Sequence, residues 1–190
     1  MKAAILTSFK VFIILLIFSP LEASLNEPIT IVKSIFNLAK DIKIRENKNH
    51  QSKIEKMFNF KIMGQEILGK DFLKYGKKEF TWFHQTIKKI ITKTIYPKAP
   101  NFLNEVKIEF TNIEKTGPSA TVFSIVKSKG EETEVNYRLK LIENSWKVIN
   151  ITIDDESWVE NIAEKVNKTI KKKKWEGLKN LLTKRLNELK

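Results

Sequence analysis

The chain has 190 residues, no cysteine and a formal net charge of +13, from 35 lysines and arginines against 22 acidic residues. Without cysteine there is neither a disulfide framework nor a thiolate metal site, and this length suits one domain. The charge rests on lysine, with arginine only at Arg45, Arg138 and Arg185; bidentate reading of bases favours arginine, so nucleic acid is not an expected partner.

Residues 1–23 carry Lys2 and Lys10, an apolar run over 11–18, and then Ser19, Pro20 and Ala23. The run is shorter than the roughly 20 residues that span a bilayer. A basic start, a short apolar segment and small residues predict a secretory signal peptide cut after Ala23, and therefore export. An uncleaved anchor is the alternative. The remainder, 24–190, is expected to be one domain.

Pro28 opens a helix in which Ile29, Val32, Phe36 and Ala39 share a face, widened by Ile35, Leu38 and Ile42. Residues 45–52 read as a polar loop containing His50. A short helix around Ile54, Met57 and Phe58 follows, then another over 60–68 that Gly69 ends. Phe72 and Tyr75 lie in the next connection. The long central helix is expected over 77–96, stopped by Pro97, with Phe80, Phe83, Ile87, Ile90, Ile91 and Ile95 forming a wide apolar stripe. His84 and His50 have no cysteine, serine or carboxylate at a metal or nucleophile spacing, so both read as surface or satisfied histidines.

Four short strands follow. Residues 105–113 present Val106, Ile108 and Phe110 on one face; 119–127 come after a turn at Gly117 and Pro118. A second turn at Lys129 and Gly130 leads into a hairpin. Val135, Tyr137, Leu139 and Leu141 alternate with polar residues, the period of a half-buried strand. Glu143, Asn144 and Ser145 supply its turn. Trp146 and Val148 occupy one parity of the return strand, but Ile149, Ile151 and Ile153 occupy the other. Both a strand covered on two sides and a bulge produce that pattern. Asp154 and Asp155 read as caps for the helix that follows. That helix carries Val159, Ile162, Val166 and Ile170; lysines 171–174 interrupt it, and a last helix bears Leu178, Leu181, Leu182, Leu186 and Leu189. The fold class is α+β: N-terminal helices and a long central helix packed with a four-stranded antiparallel meander and two C-terminal helices.

No catalytic or metal constellation emerges. The four aspartates form no acid–base pair with a clear role, and there is no glycine-rich phosphate loop or GxSxG elbow. No cofactor and no enzymatic activity are expected.

Several motifs, in order, resemble the MlaC (toluene-tolerance) family of periplasmic phospholipid-binding proteins, from near Phe60 to about Leu186. Leu68-Gly69 with Phe72 resembles Leu-Gly-x-x-Trp, and Phe83 with Ile87 resembles a Phe-x-x-x-Phe helix. Val135-Asn136-Tyr137-Arg138-Leu139 resembles Val-Asp-Tyr-Arg-Leu, and Trp146-Lys147-Val148 with Asn150-Ile151 resembles Trp-Lys-Val-x-Asp-Val. Ser157 stands for the serine of Gly-Val-Ser, and Gly177-Leu178 with Leu182 resembles Gly-Leu-x-x-x-Leu. Phe72, Asn150 and the Asp155-Glu156 pair depart from the pattern.

The resemblance implies a carrier that shuttles phospholipid through the periplasm between outer and inner membranes, its acyl chains held between sheet and helices. It also implies partners: an inner-membrane lipid ABC transporter with its MCE-domain substrate-binding component, and an outer-membrane lipoprotein complex. A monomer is expected. Candidate lipid-binding residues are Phe72, Phe83, Ile87, Ile91, Val122, Tyr137, Leu139, Trp146, Val148, Ile151, Trp158 and Ile162. Core packing would use the same residue types. The alternative reading is a secreted basic module that binds anionic membrane or protein surfaces and encloses no ligand.

Overall fold

The computed structural model describes residues 27–41 and 48–189. The expected signal peptide, and the positions of Ile42 and Arg45, lie outside them. Helix α1 (Pro28–Lys40) starts on proline and buries Val32 and Ala39. Helix α2 (Lys48–Met57) begins earlier than its apolar residues announce and includes His50, where a loop was expected. Only Ile54 is buried on α2, so its polar first turns carry no apolar period to read. Helix α3 (Phe60–Leu68) matches expectation: the Asn59 side chain accepts from the Ile62 amide at 2.9 Å, and Gly69 at φ +60° ends it. A 3-10 segment (Gly69–Lys74) leads to the central helix α4 (Lys77–Ile95).

Helix α5 (Ala99–Glu105) is a correction, since the chain was expected to run from Pro97 into a strand. Proline in its first turn and the buried pair Ala99 and Leu103, four residues apart, make one short helical stretch. A helix this brief shows too few apolar positions for its period to register.

Strands β1 (Lys107–Thr116), β2 (Ser119–Ser128), β3 (Glu131–Ile142) and β4 (Ser145–Ile153) form an antiparallel meander. A two-residue β5 (Glu156–Ser157) adds a fifth strand beyond the four expected. Glu143 and Asn144 both have positive φ, 48° and 58°, as a tight hairpin turn requires. The phase change in β4 is a bulge: Arg138 pairs with Asn150 while Leu139 pairs with Val148, leaving Ile149 as the extra residue. Trp146, Val148 and Ile151 therefore reach one core despite their differing parity. A second irregularity between Phe110 and Asn112 does the same for β1, so that Phe110 and Ile113 pack on that core together.

Asp154 and Asp155 do not cap the last helix. Both sit at positive φ, 46° and 65°, in the turn from β4 to β5, and Asp154 Oδ1 accepts from the Glu134 amide at 2.9 Å. Ser157 caps instead, its hydroxyl accepting from the Glu160 amide at 3.2 Å. Short carboxylates tolerate the left-handed region better than most side chains, which favours them in such a turn. Helix α6 (Trp158–Glu188) follows, kinked at Lys174, where φ is 58° and ψ is −174°. The lysine run does mark the break between two helical arms. Gly177 permits it: a Cβ there would collide with Lys173 Cβ.

The core has two principal parts. Helices α3, α4 and α6 enclose Met63, Ile67, Leu68, Phe83, Ile87, Val166 and Leu178. The sheet encloses Val122, Tyr137, Leu139, Trp146 and Val148 beneath Val32 of α1. Phe58 packs against both. It is also bridged to Val148, and the Asn59 amide donates to Val148 O at 2.9 Å. The α+β class holds, with an extra strand and an extra helix.

Candidate functional site

Helix α1 crosses the start of edge strand β1 and leaves a cleft of about 390 Å³ between them. Its apolar lining is Phe36 from the helix, with Val106 just before the strand and Ile108 and Phe110 on it; Asn37 and three lysines, Lys33, Lys40 and Lys107, complete it. No carboxylate belongs to the lining. Glu109, next in sequence, pairs with Lys107 at 2.9 Å and Lys127 at 3.0 Å, and those two lysines hold its carboxyl below the usual range. Lys33 lies 5.4 Å from the centre of the Phe110 ring, close enough for the ring face to attract its charge. Lys33 and Lys40 have no carboxylate partner among the described residues.

Phe36 forms the boundary between cleft and sheet core. Its ring centre is 6.2 Å from that of Phe110 and 5.8 Å from that of Tyr137, the second contact edge-on at 87°. Tyr137 is 7% exposed, and burial pushes its phenol above the ordinary value, opposed in smaller measure by the Ser124 hydroxyl. Ser124 is fully buried and donates to Val135 O at 2.8 Å. Chemically, the cleft offers apolar contact along one length and positive charge at its rim.

The twelve residues expected to bind lipid do not converge on this cleft; none lines it. Phe72, Phe83, Ile87, Ile91 and Ile162 belong to the helical core. Val122, Tyr137, Leu139, Trp146, Val148, Ile151 and Trp158 belong to the sheet core. Tyr137 comes nearest, one ring behind Phe36. The wide stripe of α4 is absorbed by packing on α3 and α6, except for Ile95, which packs with Ala39, Ile54, Ala99 and Leu103.

The residues that line the cleft were visible in the sequence only as a helix stripe (Phe36) and a strand face (Val106, Ile108, Phe110). A usable signal was the spacing of lysines around them: Lys33 and Lys40 bracket Phe36, and Lys107 sits between Val106 and Ile108.

Among the described residues no group of three or more histidine, cysteine or acidic side chains is placed to hold a metal ion. Nor is any helix among them long and apolar enough to cross a membrane. The His84 ring lies tilted against Phe80, centres 5.2 Å apart, and burial, then Lys61 and Lys88, lower its pKa. Its Nδ1 has no hydrogen-bond partner, which suits a packed neutral imidazole.

A meander with helices on its face and end, and an apolar lysine-rimmed cleft at its first strand, defines the architectural class. Residues 26–184 match the family model described as MlaC protein, and the chain belongs to the MlaC family. The resemblance carried by the sequence motifs is thereby borne out. The fold is similar to a solved structure from Ralstonia solanacearum, described as a phospholipid-binding protein in complex with a phospholipid. The TM-score is 0.68 at 20% identity, covering 84% of this chain and 94% of that one. No curated protein matches the chain.

Proposed function

We propose that this protein is a phospholipid carrier of the periplasm, and that the cleft between α1 and β1 receives an acyl chain. The observation that carries the reading is a cleft with an apolar wall in a chain of the MlaC family, whose rim lysines Lys33 and Lys40 have no carboxylate partner among the described residues. A solved structure of similar fold, described as holding a phospholipid, supports the same ligand class. Export by residues 1–23 would deliver the protein to that compartment. Exchange between an outer-membrane lipoprotein complex and an inner-membrane ABC transporter with an MCE-domain component completes the proposed route.

Energetics set what such a carrier must do. Each methylene withdrawn from water is worth about 0.8 kcal/mol, so an acyl chain of about 16 carbons demands on the order of 10 kcal/mol of shielding. Pockets for drug-sized ligands span about 300–1,000 Å³, and a cleft of about 390 Å³ lies near the lower end. One chain is the capacity that volume suggests. A second would have to part Phe36 from Tyr137 and enter the sheet core, which gives Tyr137, Leu139 and Val122 a role as walls of an enlarged site. Lys33 and Lys40 would face the phosphate at the rim. The transfer makes and breaks no covalent bond, so a binding function without enzymatic chemistry suffices.

Native mass spectrometry of protein purified under mild conditions from a Gram-negative host tests the ligand class. Stoichiometric phospholipid is expected on the wild type. Recovery of ligand-free protein alone would contradict the proposal.

A further inference from the structure

The cleft accounts for few of the lysines. A separate concentration surrounds the segment between α3 and α4, sequence Gly69-Lys70-Asp71-Phe72-Leu73-Lys74-Tyr75-Gly76-Lys77-Lys78. Phe72 turns inward onto the helical core, where its ring centre is 5.8 Å from that of Phe80. Leu73 does the reverse and stands 77% exposed, the most exposed large apolar side chain among the described residues. Lys70, Lys74, Lys77 and Lys78 around it are all exposed. Only Lys74 is neutralised, by Asp71 at 2.6 Å.

The C-terminal helix brings a second set of charges to the same place. Tyr75 stacks on Trp175 with ring centres 4.0 Å apart, and Trp175 Nε1 donates to Glu79 Oε2 at 3.0 Å. Trp175 directly follows the four exposed lysines 171–174. These four form no ion pair among the described residues, and neither do Lys70, Lys77 and Lys78. The nearby acids are already committed: Glu79 to Trp175 and Lys179, and Glu176 to Lys179. The kink at Lys174 falls inside the run, at a backbone conformation side chains rarely adopt. A packed aromatic pair thus fixes a strained, unneutralised cationic segment beside a protruding leucine.

We propose that this surface docks the protein onto an anionic lipid bilayer, with Leu73 entering the headgroup–acyl boundary and the two lysine sets meeting anionic headgroups. The charge complementarity favours a membrane over a protein partner. The cations are lysines rather than arginines, which suits diffuse attraction to a charged plane better than bidentate docking. The one apolar group is a single side chain, enough to enter an interface but too little for the core of a protein–protein contact. None of these residues lines the cleft, so the surface and the ligand site can fail independently.

The test is pelleting with vesicles of phosphatidylcholine, against vesicles of equal parts phosphatidylcholine and phosphatidylglycerol. Wild type should bind the anionic vesicles alone and release in raised salt. Each lysine near the surface should be worth roughly fivefold in affinity. The triple change Lys70→Glu, Lys77→Glu, Lys172→Glu should abolish pelleting, and Leu73→Asn should weaken it several-fold. A control with the same charge change at exposed lysines elsewhere, Lys53→Glu, Lys129→Glu, Lys140→Glu, should retain most binding. Equal loss in both triple variants, no preference for anionic vesicles, or full binding by the first triple variant would each overturn the proposal. Co-purified phospholipid, measured on the same variants, is expected to be unchanged.

Discussion

Phe36 stands edge-on to Tyr137, ring centres 5.8 Å apart at 87°, and this contact separates the cleft from the sheet core. On the cleft side Phe36 lies with Val106, Ile108 and Phe110 beside lysines. On the core side Tyr137 lies with Val122, Leu139 and Val148, all three fully buried. An edge-to-face pair contributes about 0.5–1.5 kcal/mol beyond its burial. Separating it is inexpensive beside the gain from shielding a chain of methylenes.

Phe36→Ala should enlarge the cleft into the region of Tyr137. The expected result is a stability loss in the empty protein smaller than the roughly 3–5 kcal/mol of a fully buried phenylalanine, since Phe36 is only half-buried, accompanied by a larger stabilising effect of added phospholipid than wild type shows. Thermal unfolding with and without lipid measures both.

Lys33→Glu with Lys40→Glu places like charge opposite a phosphate at the rim. Neither residue has a carboxylate partner to lose among the described residues, so the fold should persist. Lipid retention should fall by about tenfold or more, since a hydrogen bond to a charged group is worth about 1.5–3 kcal/mol. Lipid content after gel filtration, read by mass spectrometry, checks it.

Tyr137 gives an alkaline signature. Its folded pKa is raised by burial above that of the unfolded chain, so its contribution to stability is complete below a pH of about 10 and is lost as pH rises further. Tyr96 is raised in the same direction, by burial and then by Glu55. Tyr137→Phe together with Tyr96→Phe should flatten the stability loss above that pH in denaturant titrations.

His84 gives the opposite dependence. Its folded pKa is lowered, chiefly by burial, so the unfolded chain takes up the proton first. The stability it confers when neutral is complete above a pH of about 6.5 and declines as pH falls below that value. His84→Gln should reduce this acid-side slope. The nearby close approach of α3 and α4 has its own check: a Cβ on Gly64 would stand 2.8 Å from His84 Cβ, so Gly64→Ala should force the helices apart and lower the melting temperature.

Asn150 ties the bulged strand to the last helix. Its Nδ2 donates to Ser157 Oγ at 2.9 Å, while Oδ1 accepts from the Ile151 and Val159 amides at 2.8 and 3.2 Å. Asn150→Ala leaves these buried groups unpaired and should cost several kcal/mol, at about 1–3 kcal/mol for each buried group left without a partner. Asn150→Asp keeps the accepting oxygen, and the Ser157 hydroxyl can turn to donate. It should therefore cost far less at neutral pH, which denaturant unfolding will show.

Strand β3 and helices α1, α3 and α4 were legible in the sequence because each buries mainly one face, whereas the bulge in β4 reached the sequence as apolar residues on both parities. Val135, Tyr137 and Leu139 are the clearest instance. Where two demands met on a few residues, the pattern failed. Helix α5 is held by Ala99 and Leu103 alone, and α2, whose end around Ile54 was read, has polar first turns that hid its start. The Asp154-Asp155 turn resembles a cap because the same short carboxylates serve both purposes. The cleft was harder still. Phe36 and Phe110 come from elements 74 positions apart in sequence, and only tertiary packing decides which apolar faces close completely and which leave a gap.

The central claim is that the gap between α1 and β1 holds an acyl chain. Replacing Ile108 with a photo-activatable phenylalanine analogue, and irradiating protein purified with its lipid, tests it most directly. A phospholipid adduct on the β1 peptide, absent when the same analogue replaces Phe83 in the helical core, is the predicted result. A crosslink at position 83 with none at 108 would place the lipid among the helices and contradict the claim.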